Sequence, residues 1–408
     1  MTDLLSDLKA LVAKYDAQPV PDPVPEPVPD PVPTPEPQPV PTPQPNPVPM
    51  TPDVTNAAEL NAAIAAAQPG AIIALGGGSY GALSLSGKTG LTLQSDPANP
   101  ARFSTIALSK CTGMVLDGIA MSRPSQAGDD DNNVKALLLT LCDGVTIRNS
   151  DLETQKAASG AFAGFANGYT VYLDRSKNVT LMGNDIRGGR RAVMMQYADG
   201  VLVEGNEIHD FRAVAVGGSG NNVTIRGNYL HDARPWNYPA SDHGDFIHLW
   251  DGKGKPPIIG IVIEDNTIMQ GAGIPIMGIS IQNTQGVYFE DVRVANNLVI
   301  TENNQCLRFD GVRAIDVQCN TFLSPVAEHP SNTGVGGQAR FQIGGAQSGK
   351  VLNNIWGGIS SLLPNCTVSG NLVMKYQDQI NVLTNPTGST RIDFIAKSGG
   401  KGVGLGIH

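Results

Sequence analysis

Apolar and polar side chains alternate along most of the chain in short runs, and each run ends at a turn rich in Gly and Asn. Alternation with a period of two, carried by β-branched residues and Leu, predicts strands rather than helices. One phrase is said three times without interruption: NVTLMGNDI (178–186), GVLVEGNEI (200–208) and NVTIRGNYL (222–230). Asn184, Asn206 and Asn228 are therefore spaced by 22 residues. A fixed period of this length is one structural unit stacked on itself.

The phrase extends in both directions once insertions are allowed. Upstream, GLTLQSDPA, GMVLDGIAM and GVTIRNSDL place Asp96, Ile119 and Ser150 at the Asn position. Downstream, Asn266, Asn297, Asn320, Asn354 and Asn371 fall in register, which makes eleven units with Asn in eight of them. Spacings range from 17 to 38 residues, a variation that a solenoid accommodates because loops swell outside while the strands keep their stack. The expected fold is all-β, a right-handed parallel β-helix of about eleven rungs, with Asn above Asn and each amide bonded to its neighbour's amide and to turn backbone.

The ends of the chain break the pattern. In residues 1–18, Leu4, Leu8, Leu11 and Tyr15 draw one apolar stripe down a short amphipathic helix. So short a helix does not hold alone in water, so sister chains or a groove on a larger assembly should cover the stripe. This segment lacks the basic leader and cleavage site of a signal peptide, so the expectation is synthesis in the cytoplasm without one. From Pro19 to Pro49 proline recurs at every second residue. Proline and its preceding residue both favour extended backbone, so residues 19–52 read as a polyproline II stalk, on the order of 95 Å long. Residues 53–408 remain for the β-helix domain.

Composition narrows the partners. The chain of 408 residues has 47 glycines, 5% aromatic residues and a net charge of −9. An acidic chain without basic clusters argues against nucleic acid, and no apolar run is long enough to span a membrane. The cysteines at 111, 142, 306, 319 and 366 have no metal-type spacing and read as small buried thiols.

Candidate chemistry falls on the strand that precedes each phrase. VYLD (171–174), VMMQ (193–196), IHLW (247–250), ISIQ (279–282), LRFD (307–310) and FQIG (341–344) align in one stack with their first and third residues inward. Tyr172, Asp174, His248, Trp250, Arg308 and Asp310 then face outward on one strip. Flat apolar faces beside planar polar groups suit a sugar chain. The longest insertion, residues 231–257, adds Trp236, Tyr238, Asp242, His243, Asp245 and Asp251. A carboxylate beside an imidazole can orient the ring for proton transfer, and two carboxylates can act on a glycosidic bond. Asp242, His243, Asp245 and His248 are therefore the candidate catalytic residues, with His243 and either Asp242 or Asp245 as the proton-transfer pair. Tyr172, Asp174, Trp236, Tyr238, Trp250, Arg308 and Asp310 are the candidate sugar-binding residues. The same groups can also serve only to tie a long loop onto the sheet. No helix aligns them as metal ligands, so no metal or cofactor is expected, with a zinc or calcium site as the alternative; the acidic loop DDDNN (129–133) reads as a solvated turn, with calcium as its alternative. Lys and Arg are sparse within the insertion, which favours holding a glycan over lyase chemistry.

A family resemblance accompanies these features. Asn56 with Glu59 caps an Ala-rich helix that ends at Pro69-Gly70 and is followed by AIIALGGGSYGALSL. This arrangement resembles the start of pectate-lyase-like β-helix proteins, in which such a helix closes the solenoid's open end. RIDFIAKSGGKGVGLGIH (391–408) resembles their closing segment. Asp242-His243-Gly244-Asp245 is similar to the Asp-Pro-His motif of mannuronan C5-epimerases, although here His follows Asp directly. The resemblance implies either a phage-type spike that binds a bacterial surface polysaccharide, or a polysaccharide lyase, hydrolase or epimerase free of any particle. For a spike it further implies a homotrimer docked to a virion-like assembly through residues 1–18.

Overall fold

The structure is a computed structural model that describes residues 53–237, 242–250, 257–282, 288–326, 340–344, 348–359 and 365–408. The helix and stalk expected at 1–52, together with Tyr238 and Asp251, lie outside the described residues.

Each 22-residue repeat is one coil of a solenoid with three strands. In the regular region the coil runs through Tyr169–Asp174, Thr180–Met182 and Asp185–Gly188, and the next coil stacks on it. The stacking is parallel throughout, as in Val171 opposite Val193, Leu181 opposite Val203 and Ile186 opposite Ile208. The strands that carry the outward strip form one parallel sheet. Its members are β1 (Lys135–Thr140), β2 (Tyr169–Asp174), β3 (Arg191–Glu204), β4 (Val214–Arg226), β5 (Asp245–Trp250), β6 (Met277–Gln282) and β7 (Gln305–Asp310). Val171, Leu173, Val193, Met195, Ile247, Leu249, Ile279 and Ile281 are buried in the core, as the alternation predicts.

The asparagine ladder is continuous. Asn184 Nδ2 donates to Asn206 Oδ1 at 2.9 Å, Asn206 to Asn228 at 3.0 Å and Asn228 to Asn266 at 2.9 Å. It continues through Asn297, Asn320 and Asn354 to Asn371. Ser150 donates its backbone N–H to Asn184 Oδ1, and Ile119 donates its own to Ser150 Oγ, so the stand-ins keep the register. The residue just before each ladder position is left-handed: Gly183, Gly205 and Gly227 have φ of 62°. Glycine enters that conformation without steric cost, which explains the Gly-Asn pairing.

At the N-terminal end, helix α1 (Ala57–Ala66) buries Leu60 and Ile64 over the core. Asn56 Oδ1 accepts from the Glu59 N–H at 3.0 Å, while the Glu59 carboxylate reaches back to the Thr55 N–H at 2.7 Å. The C-terminal tail packs against the side of the solenoid. Arg391 donates to the Asn266 and Asn296 carbonyls, Ile407 N–H to Thr321 Oγ1 and His408 N–H to Asn296 Oδ1. The tail thus runs back along the corner that holds the ladder, where Phe394 and Ile407 join Leu298, Leu323 and Ile355 in a second apolar cluster.

Candidate functional site

The stack of outward-facing strands is correct in register but contains a coil that the sequence alignment passed over. Tyr172 pairs with Met194, Met194 with Gly217, Gly217 with His248, and Ser280 with Arg308. β4 therefore lies between β3 and β5. At about 4.8 Å per strand, Tyr172 sits on the order of 14 Å from His248, and Arg308 about 10 Å on the other side. Tyr172, Asp174, Arg308 and Asp310 consequently do not adjoin His248 and Trp250. The gap arises because the outer positions of β4 are Gly217 and Ser219, which give an alternation pattern little to register.

Those small residues position the tryptophan. A Cβ on Gly217 would lie 3.2 Å from the Trp250 ring and 2.6 Å from the His248 carbonyl, so the indole leans over bare backbone. It thereby reaches Arg191 on β3, whose guanidinium lies 5.4 Å from the ring centroid. The His248 imidazole meets the indole edge-on at 4.9 Å. Arg191 is also 5.8 Å from the Tyr169 ring, and its Nη1 donates to Tyr169 Oη at 3.3 Å. Tyr169 packs on Tyr172 at 4.7 Å, and Lys135 Nζ stands 5.0 Å over Tyr172. Tyr172 itself is buried and donates its hydroxyl to Gln196 Oε1; burial pushes its phenol up from the ordinary range. Tyr172 backs the surface, and Tyr169 offers the partly open ring.

Lys135, Tyr169 and Arg191 are successive members of one register column, and the alternation pattern does not reveal them. Thr170 is skipped in the pairing of Tyr169 with Arg191 and is fully buried, so counting back in twos from Val171 turns Tyr169 inward. Burial pushes the Arg191 guanidinium below its ordinary value, and no carboxylate meets it among the described residues. Arg123, Arg148, Arg175, Arg187, Arg226 and Arg293, in contrast, each meet an acid within ion-pair distance.

The insertion splits into two functions. Asp245 is buried, and its Oδ2 lies 3.2 Å from His248 Nδ1. Its Oδ1 and His248 Nε2 are enclosed without a hydrogen-bond partner. The imidazole that Asp245 holds is thus that of His248; His243 is exposed, which corrects the expected pairing. Asp242 is committed elsewhere. Arg212 Nε donates to its Oδ2 at 3.0 Å and Nη2 to its Oδ1 at 3.2 Å, Arg190 Nε lies 3.3 Å away, and the Trp236 N–H donates at 2.9 Å. Arg212 also donates to Asp131 Oδ1 at 2.9 Å and to Asn167 Oδ1 at 3.0 Å. This buried cluster clamps three loops together, and Phe162 fills it by packing on Arg212 at 4.4 Å and on Trp236 at 4.8 Å. Asp242 is therefore tied into this cluster, and Trp236 packs on Phe162 beside it.

The acidic turn at 129–133 is held by protein donors. Asp129 pairs with Arg123, Asp130 accepts from the Asn132 and Asn133 backbone, and Asp131 enters the Arg212 cluster. Among the described residues no group of three or more His, Cys, Asp and Glu gathers at metal-binding distance. None of their helices is long and apolar enough to cross a membrane.

A second face carries histidines outside the site. His209 stacks on His231 at 5.1 Å, with Asp185 and Asp210 on its two nitrogens at 3.1 and 2.8 Å. Its hydrogen bond to Asp185 leads in raising its pKa to about 9.

Comparison with known proteins bears on the fold. The right handed beta helix region family matches residues 130–375, well over half of the chain. The protein belongs to that family of right-handed parallel β-helix proteins. A search of curated proteins finds none that matches. Among solved structures, PfbA, a surface adhesin of Streptococcus pneumoniae, is 13% identical with a TM-score of 0.52, covering 78% of this chain and 89% of its own. The pectate lyase Pel9A is 14% identical with a TM-score of 0.45, covering 84% of each chain. The periplasmic alginate epimerase AlgG is 12% identical with a TM-score of 0.42, covering 79% of this chain and 84% of its own.

Proposed function

We propose that the protein binds a bacterial surface polysaccharide along β1 to β5, as the head of a phage-type spike whose residues 1–18 anchor it and whose residues 19–52 hold it away from the particle. The observation that carries the binding surface is the unbroken run of contacts from Lys135 through Tyr172, Tyr169 and Arg191 to Trp250 and His248. Aromatic faces and fixed polar groups along a rigid parallel sheet match the repeating faces and edges of a sugar chain. The adhesin likeness supports the fold for such a role, and the spike and its place on a virion surface rest on the apolar stripe in the sequence of residues 1–18 and the alternating prolines of 19–49.

Holding is favoured over cutting because His248 Nε2 is enclosed and Asp242 is locked in an ion cluster. The Asp245–His248 pair favours a second reading, a polysaccharide-modifying enzyme in which His248 is the base after a rearrangement that opens Nε2. Affinity electrophoresis against capsular and exopolysaccharides, with polymer length followed by size exclusion, separates the two. Retention at constant length is the expected result, and Trp250→Ala should weaken it by about 1–3 kcal/mol. Shortened polymer, lost in His248→Ala, would establish the enzyme instead. Retention unchanged in Trp250→Ala, in a protein with unaltered melting, would remove this face as the site.

A further inference from the structure

Resting on the polysaccharide reading, we propose that the site selects a glycan with an anionic group on alternate sugars, the anions meeting Lys135 and Arg191 and the intervening sugar lying on Tyr169.

The column Lys135, Tyr169, Arg191 places cation, ring and cation on three consecutive strands. Strands are about 4.8 Å apart, so the two cations repeat at roughly 10 Å, twice the step that one sugar ring takes when a chain runs across the strands. All three side chains reach the outer surface of the sheet. Lys135 stands over Tyr172, Tyr169 packs beside that ring, and Arg191 lies between Tyr169 and Trp250.

Charge supports the same assignment. The chain has a net charge of −9, and acids answer the arginines nearby: Arg190 meets Asp131 and Asp242, Arg212 the same two, and Arg187 meets Asp151 and Asp185. Arg191 is different. It is largely enclosed by two aromatic rings, it donates to Tyr169 Oη and not to an acid, and neither it nor Lys135 meets a carboxylate among the described residues. A desolvated cation left without its own anion is costly, and a ligand anion would relieve that cost. The guanidinium also presents a planar fork that matches a carboxylate or a sulfate ester. Beyond Arg191 the column continues with Val214 and Asp245. Both are buried, so the column offers no third cation about 10 Å further on. The cationic portion of the strip therefore spans one alternating repeat.

The test uses the full chain and three polymers: one alternating glucuronate with N-acetylglucosamine, polygalacturonate with a carboxylate on every sugar, and neutral dextran. Isothermal titration should give the tightest binding to the alternating polymer, weakened with rising salt. Arg191→Gln and Lys135→Ala should each lower that affinity at least tenfold and flatten its dependence on salt. Lys135 lies at the partly open edge, so its replacement keeps the test valid should the Arg191 variant fold poorly. Tighter binding of polygalacturonate would overturn the alternation. Equal affinity for dextran, insensitive to both substitutions, would overturn anion recognition and leave the polysaccharide reading standing. No binding of any polymer, together with failure of every capsular and exopolysaccharide preparation in the electrophoresis, would overturn both.

Discussion

Asn206 shows how much a single residue in a solenoid is asked to do. Its Oδ1 accepts from both the backbone and the side chain of Asn184, while its Nδ2 donates to the Leu181 carbonyl and to Asn228 Oδ1. Replacing it by Leu strands groups on the coils above and below, and each unmet buried partner costs on the order of 1–3 kcal/mol. The melting temperature of Asn206→Leu should therefore fall clearly, and an unchanged value would contradict a buried ladder. These positions were legible in the sequence because a repeat exposes whatever every coil needs. Tyr169 and Arg191 were not, since an irregular pairing at Thr170 shifts the phase in which their side chains emerge. Gly217 was hidden for another reason: its contribution is the absence of a side chain where Trp250 must lie.

At the level of elements, the long loops take their shape from ion pairs that no local pattern contains. Asp242 lies thirty residues beyond Arg212, and Asp131 eighty-one residues before it. Their meeting is a product of coil stacking, so the sequence displayed Asp242 beside His243 and concealed its actual partners. Removing the Asp242 carboxylate leaves Arg190 and Arg212 facing each other with one acid fewer, a defect that costs about 3–5 kcal/mol in buried pairs. Asp242→Ala should show that loss in denaturant unfolding, together with easier proteolysis in 155–168. The stacked histidines give a neighbouring strand a pH dependence. His209, raised to about 9, faces Asp185, Asp210 and the stacked His231, with Arg187 and Arg234 bonded to those acids. A raised folded pKa means that protonated His209 stabilises the fold fully below its unfolded value of about 6.5, and that this share is lost as pH rises toward about 9. The melting difference between the parent and His209→Gln should be largest near about pH 6 and vanish above about pH 9.5; a difference that persists there would show the ring acting through packing alone.

For the whole molecule, the fold was legible in the repeat because every coil spells out the same strands and turn. A solenoid head of this kind offers one strip of modest size, and a short strip binding a flexible polymer gains little per contact once the polymer's ordering is included. Repetition of the strip changes that. If residues 1–18 join sister chains, three in number, the second and third engagements with one glycan become intramolecular. Linked sites of this sort raise avidity by about 10²- to 10⁴-fold without any new contact. Light scattering should accordingly give the full chain three times the 42.8 kDa of one protomer, and a truncated chain beginning at Thr51 the mass of a single copy. Surface plasmon resonance on immobilised polysaccharide should show slow release for the full chain and fast release for the truncated one, with Trp250→Ala weakening both. Equal masses for the two would leave residues 1–18 as a docking peptide for a larger assembly; unequal masses with equal release rates would mean that the stalks do not let the heads reach one glycan together.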